Sequence, residues 1–120
     1  MKIRESAEDY LETILVLSMS GGEVHAIDVA RELGFSKASV SVAMKNLRLQ
    51  GHIAVADDAA ITLTDTGAAI AHSVYERHTF LTDWLTSLGV PRATAARDAC
   101  KIEHVISAET FEALKRLPAT

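Results

Sequence analysis

The segment from Ala26 to Leu63 constrains the fold more than any other part of the chain. Ile27, Val29, Ala30 and Leu33 recur at helical spacing, and Gly34 follows where a helix ends in a left-handed turn. Phe35-Ser36 then leads into a second helix, with Ser36 as N-cap and Val40, Ala43, Met44 and Leu47 on its apolar side, closed by Gly51. A short helix, a glycine turn and a longer helix with a polar start make a helix-turn-helix. Two β-prone runs come next, His52-Ile53-Ala54-Val55 and Ala60-Ile61-Thr62-Leu63, separated by Asp57-Asp58. They predict a two-stranded hairpin, the wing of a winged helix.

Helical patterns flank this segment. A first helix is expected from Ser6, as N-cap, to about Ser18, carrying Tyr10, Leu11, Ile14, Leu15 and Leu17, with Met19-Ser20-Gly21-Gly22 as a flexible turn. A long helix is expected from about Asp65 to Ser87, with a stripe of Val74, His78, Leu81, Leu85 and Leu88 suited to packing against partner helices. Gly89-Val90-Pro91 breaks it, Pro91 opens a fifth helix to about Val105, and Ser107 caps a short last one through Leu117. The fold class is therefore mostly α: an N-terminal winged helix-turn-helix over 1–64 and a helical domain over 65–120.

The 120 residues suit one modest domain or two small layers. No apolar run is long enough to span a membrane, and Met1-Lys2-Ile3-Arg4-Glu5 lacks the apolar core of a signal peptide. The single cysteine, Cys100, has no internal disulfide partner, which points to a reducing cytoplasm. A net charge of −4 argues against indiscriminate coating of nucleic acid. Yet from Arg31 to Gln50 the cations Arg31, Lys37, Lys45 and Arg48 face only Glu32. Ser36, Lys37, Ser39 and Ser41 open the second helix of the motif, where base edges and phosphates of duplex DNA are met; Lys45, Arg48 and Arg31 are candidate phosphate contacts. Each could equally be a cap or a solvated side chain. The wing tip, Asp57-Asp58, is acidic, so a weak contribution from the wing is expected.

Six residues carry metal-binding chemistry. Asp9 and Glu12 are spaced i, i+3 and can point the same way, though Ser6-Ala7-Glu8-Asp9 also resembles a capping arrangement and acids favour a helix's first turn. Cys100, Glu103 and His104 are more specific. At about 100° per residue, Glu103 lies about 60° to one side of Cys100 and His104 about 40° to the other, with Ala95, Ala99 and Ile102 expected on the opposite side. Thiolate, carboxylate and imidazole together suit Fe(II), Mn(II), Co(II) or Zn(II); a buried inert cysteine beside a surface Glu-His pair is the alternative. His78 sits in the apolar stripe of the long helix, where a hydrogen-bonded core histidine is also possible. His72 lies about 240° round the helix from His78, so those two cannot chelate together.

The segment Asp98-Ala99-Cys100-Lys101-Ile102-Glu103-His104-Val105-Ile106-Ser107, with Glu8-Asp9-Tyr10-Leu11-Glu12 and Tyr75-Glu76-Arg77-His78, resembles the diphtheria toxin repressor and manganese transport regulator family across essentially the whole chain. The resemblance implies a homodimeric winged-helix repressor that binds a pseudo-palindromic duplex operator when loaded with Fe(II) or Mn(II), Co(II), Ni(II) or Zn(II) substituting. It implies Asp9, Glu12, His78, Cys100, Glu103 and His104 as metal ligands, and assigns DNA binding to 1–64, metal binding and dimerisation to 65–120. The chain is a hybrid: Asp9 and Glu12 match the manganese type, Cys100 the iron type, and His78, Glu103 and His104 both. Thr82 and Ala96 stand where the iron type has an ancillary site, and neither is an equivalent ligand, so one principal site or a compact two-metal cluster is expected. Val42 replaces a glutamine of the diphtheria-type repressor, exchanging a polar contact for a possible thymine-methyl contact. Ending at Thr120, the chain is expected to lack the SH3-like domain of larger members. The expected switch has metal relieving carboxylate repulsion and pinning the first helix, which sets the separation of two recognition helices at about 34 Å. Two rival readings are a metalloenzyme, for which no glycine-rich loop or nucleophile motif is present, and a winged-helix regulator that uses no metal and responds to a small molecule or to redox state.

Overall fold

A computed structural model describes residues 2–117, with side chains from Ser6 onward. Six helices and one hairpin follow in order: α1 Lys2–Met19, α2 Ala26–Leu33, α3 Lys37–Leu49, β1 Ile53–Val55, β2 Ile61–Leu63, α4 Asp65–Ser87, α5 Arg92–Val105 and α6 Ala108–Lys115. They divide into two compact units, Met1–His72 and Ser73–Thr120.

In the first unit α1 packs against α2, α3 and β2. Its buried face is Tyr10, Leu11, Ile14 and Leu15, and it meets Val29 and Ala30 of α2 and Val40, Met44 and Leu47 of α3. Tyr10 lies edge-on to Phe35 with ring centroids 6.0 Å apart, and burial pushes its phenol pKa up, so the ring stays neutral. Gly34 takes φ 71°, and its N–H bonds the Ala30 carbonyl, closing α2 as its glycine predicts. Ser36 caps α3 by accepting from the Ser39 N–H at 3.1 Å. One expectation fails: Ser6 is not a cap, because the helix already runs from Lys2. Nothing in Lys2-Ile3-Arg4-Glu5 breaks a helix, so a weak capping preference at Ser6 cannot hold back its start.

The wing is an antiparallel pair with Ile53 opposite Leu63 and Val55 opposite Ile61. Val24 bridges Ile61 from the other side, with the Ile61 N–H donating to its carbonyl at 2.7 Å. Its turn places Ala59 at φ 69°, and the Asp58 carboxylate accepts from the Ala60 N–H at 3.1 Å. The base of the hairpin is closed by side chains: Thr64 Oγ1 donates to the Gly51 carbonyl at 2.7 Å, and the Thr64 N–H bonds the His52 carbonyl at 3.1 Å. Gly67, in the first turn of α4, passes directly over that same His52 carbonyl.

In the second unit the buried side chains are Val74, Leu81 and Thr82 of α4, Ala95, Ala99 and Glu103 of α5, and Phe111 of α6. This corrects the expected face of α5. Ala95 and Ala99 are not opposite Glu103; the three recur every four residues along one buried stripe, and Ile102 is half-buried. Pro91 precedes α5 and its carbonyl accepts from Ala95, while Ser107 caps α6 by accepting from the Thr110 N–H at 3.0 Å. Arg77 ties α5 to α4, its Nη1 donating to the carbonyls of Glu103 and Ile106, both at 3.1 Å. Its guanidinium also lies 5.7 Å from the centre of the Phe111 ring, which meets Phe80 edge-on at 5.5 Å. Leu88 of the predicted stripe is 61% exposed, so it contributes to no core within this chain.

Both of these tight contacts can be tested by substitution. Gly67→Ala drives a methyl into a backbone oxygen that cannot swing away, and should lower unfolding free energy by about 1–3 kcal/mol in a urea titration. Arg77→Ala strips two carbonyls at the end of α5 of a charged donor and should cost about 2 kcal/mol by the same measurement.

Candidate metal centre

The centre is built around Glu103, whose side chain is wholly buried at the end of the α5 stripe, after two alanines small enough to let α5 pack closely. Its Oε1 lies 2.9 Å from Nδ1 of His78 on α4. That same ring nitrogen is 3.7 Å from Sγ of Cys100. One ligand atom from each of His78, Cys100 and Glu103 falls within 4.8 Å of the others. The other oxygen, Oε2, is 3.5 Å from Nε2 of His104, whose side chain is 3% exposed. It is buried and has no hydrogen-bond partner among the described residues.

An unsatisfied carboxylate oxygen in the interior costs several kcal/mol unless a cation compensates it. Arg77 donates to the Glu103 backbone carbonyl rather than to its carboxylate. Sulfur, nitrogen and carboxylate oxygen converging on one point make a donor set for a divalent transition metal. The residues present therefore fit such an ion. The alternative of a buried cysteine beside a surface Glu-His pair is inverted here: Cys100 is exposed and Glu103 is the buried member.

Asp9 and Glu12 lie on α1 in the first unit, both half-buried. Because α1 begins at Lys2, both stand beyond its first turn, so neither the macrodipole nor a capping role at Ser6 accounts for them. Thr82, at the ancillary position, donates its hydroxyl to the His78 carbonyl at 2.7 Å, as buried helical threonines do. Arg77 is the residue that sequence reasoning missed. It clamps the turn of α5 that carries Glu103, and its only signal was adjacency to His78.

Arg31, Ser36, Lys37, Ser39, Ser41, Lys45 and Arg48 are all exposed on α2, α3 and the turn between them. Ser36 also donates to Ser39 Oγ at 3.0 Å, so these two hydroxyls are partly engaged with each other. Arg31 is 3.6 Å from the Asp28 carboxylate. No helix among the described residues is long and apolar enough to cross a membrane.

Residues 2–61 match the family described as iron dependent repressor, N-terminal DNA binding domain, and residues 64–118 match its metal binding and dimerisation domain. Transcriptional regulator MntR of Escherichia coli O6:H1 is 36% identical over 112 residues, covering 93% of this chain and 72% of that protein. The diphtheria toxin repressor of Corynebacterium diphtheriae is 29% identical over 94% of this chain and 50% of its own length. Among solved structures, a manganese-dependent transcriptional repressor in complex with manganese superimposes with a TM-score of 0.82 at 27% identity, covering 91% of this chain and 50% of that one. The chain thus spans about half the length of that structure. With both of its units matched in order, the chain belongs to the iron-dependent repressor family.

Proposed function

We propose that this chain is a repressor of metal-uptake or homeostasis genes that responds to Fe(II) or Mn(II), with Co(II), Ni(II) or Zn(II) as substitutes, and binds a pseudo-palindromic operator as a homodimer. It acts by binding, not by turnover. The observation that carries the reading is the wholly buried Glu103 carboxylate, one oxygen of which has no hydrogen-bond partner among the described residues, beside imidazole and thiol donors.

His78, Cys100, Glu103 and His104 are the proposed ligands of the C-terminal unit, and Asp9 and Glu12 those of α1. A bound divalent ion would supply the positive charge that lets these acidic donors converge. Cys100 is the softest donor and favours Fe(II); Glu103, Asp9 and Glu12 are hard and favour Mn(II). Asp9 and Glu12 flank the buried face of the helix that packs on α2 and α3. Holding their carboxylates restrains α1, and through it the helix-turn-helix, which biases the population of DNA-binding geometry without any metal contact to DNA. Ser36, Lys37, Ser39 and Ser41 meet base edges and phosphates, while Arg31, Lys45 and Arg48 take phosphates. The Asp57-Asp58 wing tip adds little attraction to the backbone.

In a gel shift, chelation should weaken operator binding by about 5- to 150-fold, the usual span of an allosteric coupling. Cys100→Ala should bind equally with and without chelator. Equal affinity of the unaltered protein in both conditions would end the reading. Glu103→Gln keeps the shape and removes the buried charge. Its metal-free stability should match or exceed the parent's, while the gain of about 2.7 kcal/mol expected from Mn(II) at a hundred times its dissociation constant should vanish in a thermal melt.

A further inference from the structure

α5 ends without the glycine that commonly closes a helix. Ile106-Ser107 follows it, and Ile106 runs extended at ψ 136° instead of taking a left-handed turn. The Ile106 N–H bonds the Ile102 carbonyl, so the next carbonyl, that of Glu103, lies beyond the reach of the helix's own N–H groups. A neighbouring helix supplies the donor. Arg77 of α4 donates from Nη1 to the carbonyls of Glu103 and Ile106, both at 3.1 Å, and brings positive charge to the negative end of α5. The guanidinium is itself braced by α6. It lies 5.7 Å from the centre of the Phe111 ring, which is buried and meets Phe80 edge-on. Lys115 of α6 also pairs with Glu76, the neighbour of Arg77, at 3.0 Å.

The turn closed in this way carries Glu103 and His104, two donors of the candidate centre. Helix ends fray, and a side chain in a frayed turn moves with its backbone. Donors already held in place lose less freedom when an ion gathers them. We infer that Arg77 is a positioning residue for the metal: by capping α5 from α4 it holds Glu103 and His104 ready, and so sets the affinity of the site. The inference rests on the metal-responsive reading above and adds to it the group that keeps two of the ligands in place.

The test titrates Mn(II) into the full chain and counts the free ion by its electron paramagnetic resonance signal, with every variant shown folded by circular dichroism. Arg77→Met keeps an apolar stem against Phe111 and removes both donor and charge. Its affinity should fall about 10- to 100-fold, the usual cost of losing a group that orients a ligand. Arg77→Lys keeps a charged donor and should recover part of that loss. Gly67→Ala, which strains the first unit instead, is the stability control and should bind Mn(II) as the unaltered protein does. Co(II) adds a spectroscopic reading. Cys100 stands about a turn before Glu103, so Arg77→Met saturated with Co(II) should keep the thiolate charge-transfer band while its d–d bands shift. Unaltered affinity or unaltered d–d bands in Arg77→Met, or an equal loss of affinity in Gly67→Ala, overturns the inference and leaves the repressor reading standing. An unaltered protein that binds neither Mn(II) nor Co(II) overturns the metal-responsive reading itself, and this inference with it.

Discussion

The buried carboxylate of Glu103 sets the terms for the C-terminal unit. Its side chain lies in the interior beside Ala95 and Ala99, one oxygen against the His78 ring and the other without a hydrogen bond among the described residues. Such an arrangement is unfavourable by itself, because the charge has left water without full compensation. Arg77 holds the helix turn in place from the backbone side rather than neutralising the carboxylate. The packing keeps Glu103 where it is, and the missing charge is what a divalent cation would bring. On the proposed role of Glu103 as a ligand, stability and metal responsiveness are opposed at one residue.

The N-terminal unit solves a different problem: presenting a helix firmly while leaving its outer side free of internal duties. Val40, Met44 and Leu47 seat α3, and Gly34 and Ser36 set where it begins. Every residue proposed to meet DNA is exposed, and α3 carries no acid to offset its cations. A protein of net charge −4 can therefore still offer a locally positive surface.

Most of the fold was legible because its signals are local. Gly34, Ser36, Gly51, Pro91 and Ser107 are punctuation with known backbone consequences, and each marks a boundary within a residue or two of the observed one. Ser6 misled because a capping residue inside a run of good helix formers carries no stop signal. The grouping of Cys100, Glu103 and His104 on α5 was readable from spacing, and His78 from its place near them in the family pattern. Their burial was not. Which of them faces inward depends on the small residues Ala95 and Ala99, whose stripe accommodates a close helix and takes Glu103 with it. Arg77 was unreadable for a similar reason: its partners are carbonyls 26 and 29 residues away, and a backbone acceptor leaves no mark in sequence.

The wing is pinched shut where it leaves the body of its unit. Thr64 reaches Gly51 and His52, Thr66 reaches Gly51, and Gly67 lies against the His52 carbonyl, so both ends of the hairpin meet in one clasp before any strand residue is counted. A loop tethered at its neck leaves its tip uncoupled from the start of α4. The tip around Asp57 can therefore change length or charge without shifting that helix, whereas Asp58 is held to its turn by the Ala60 N–H.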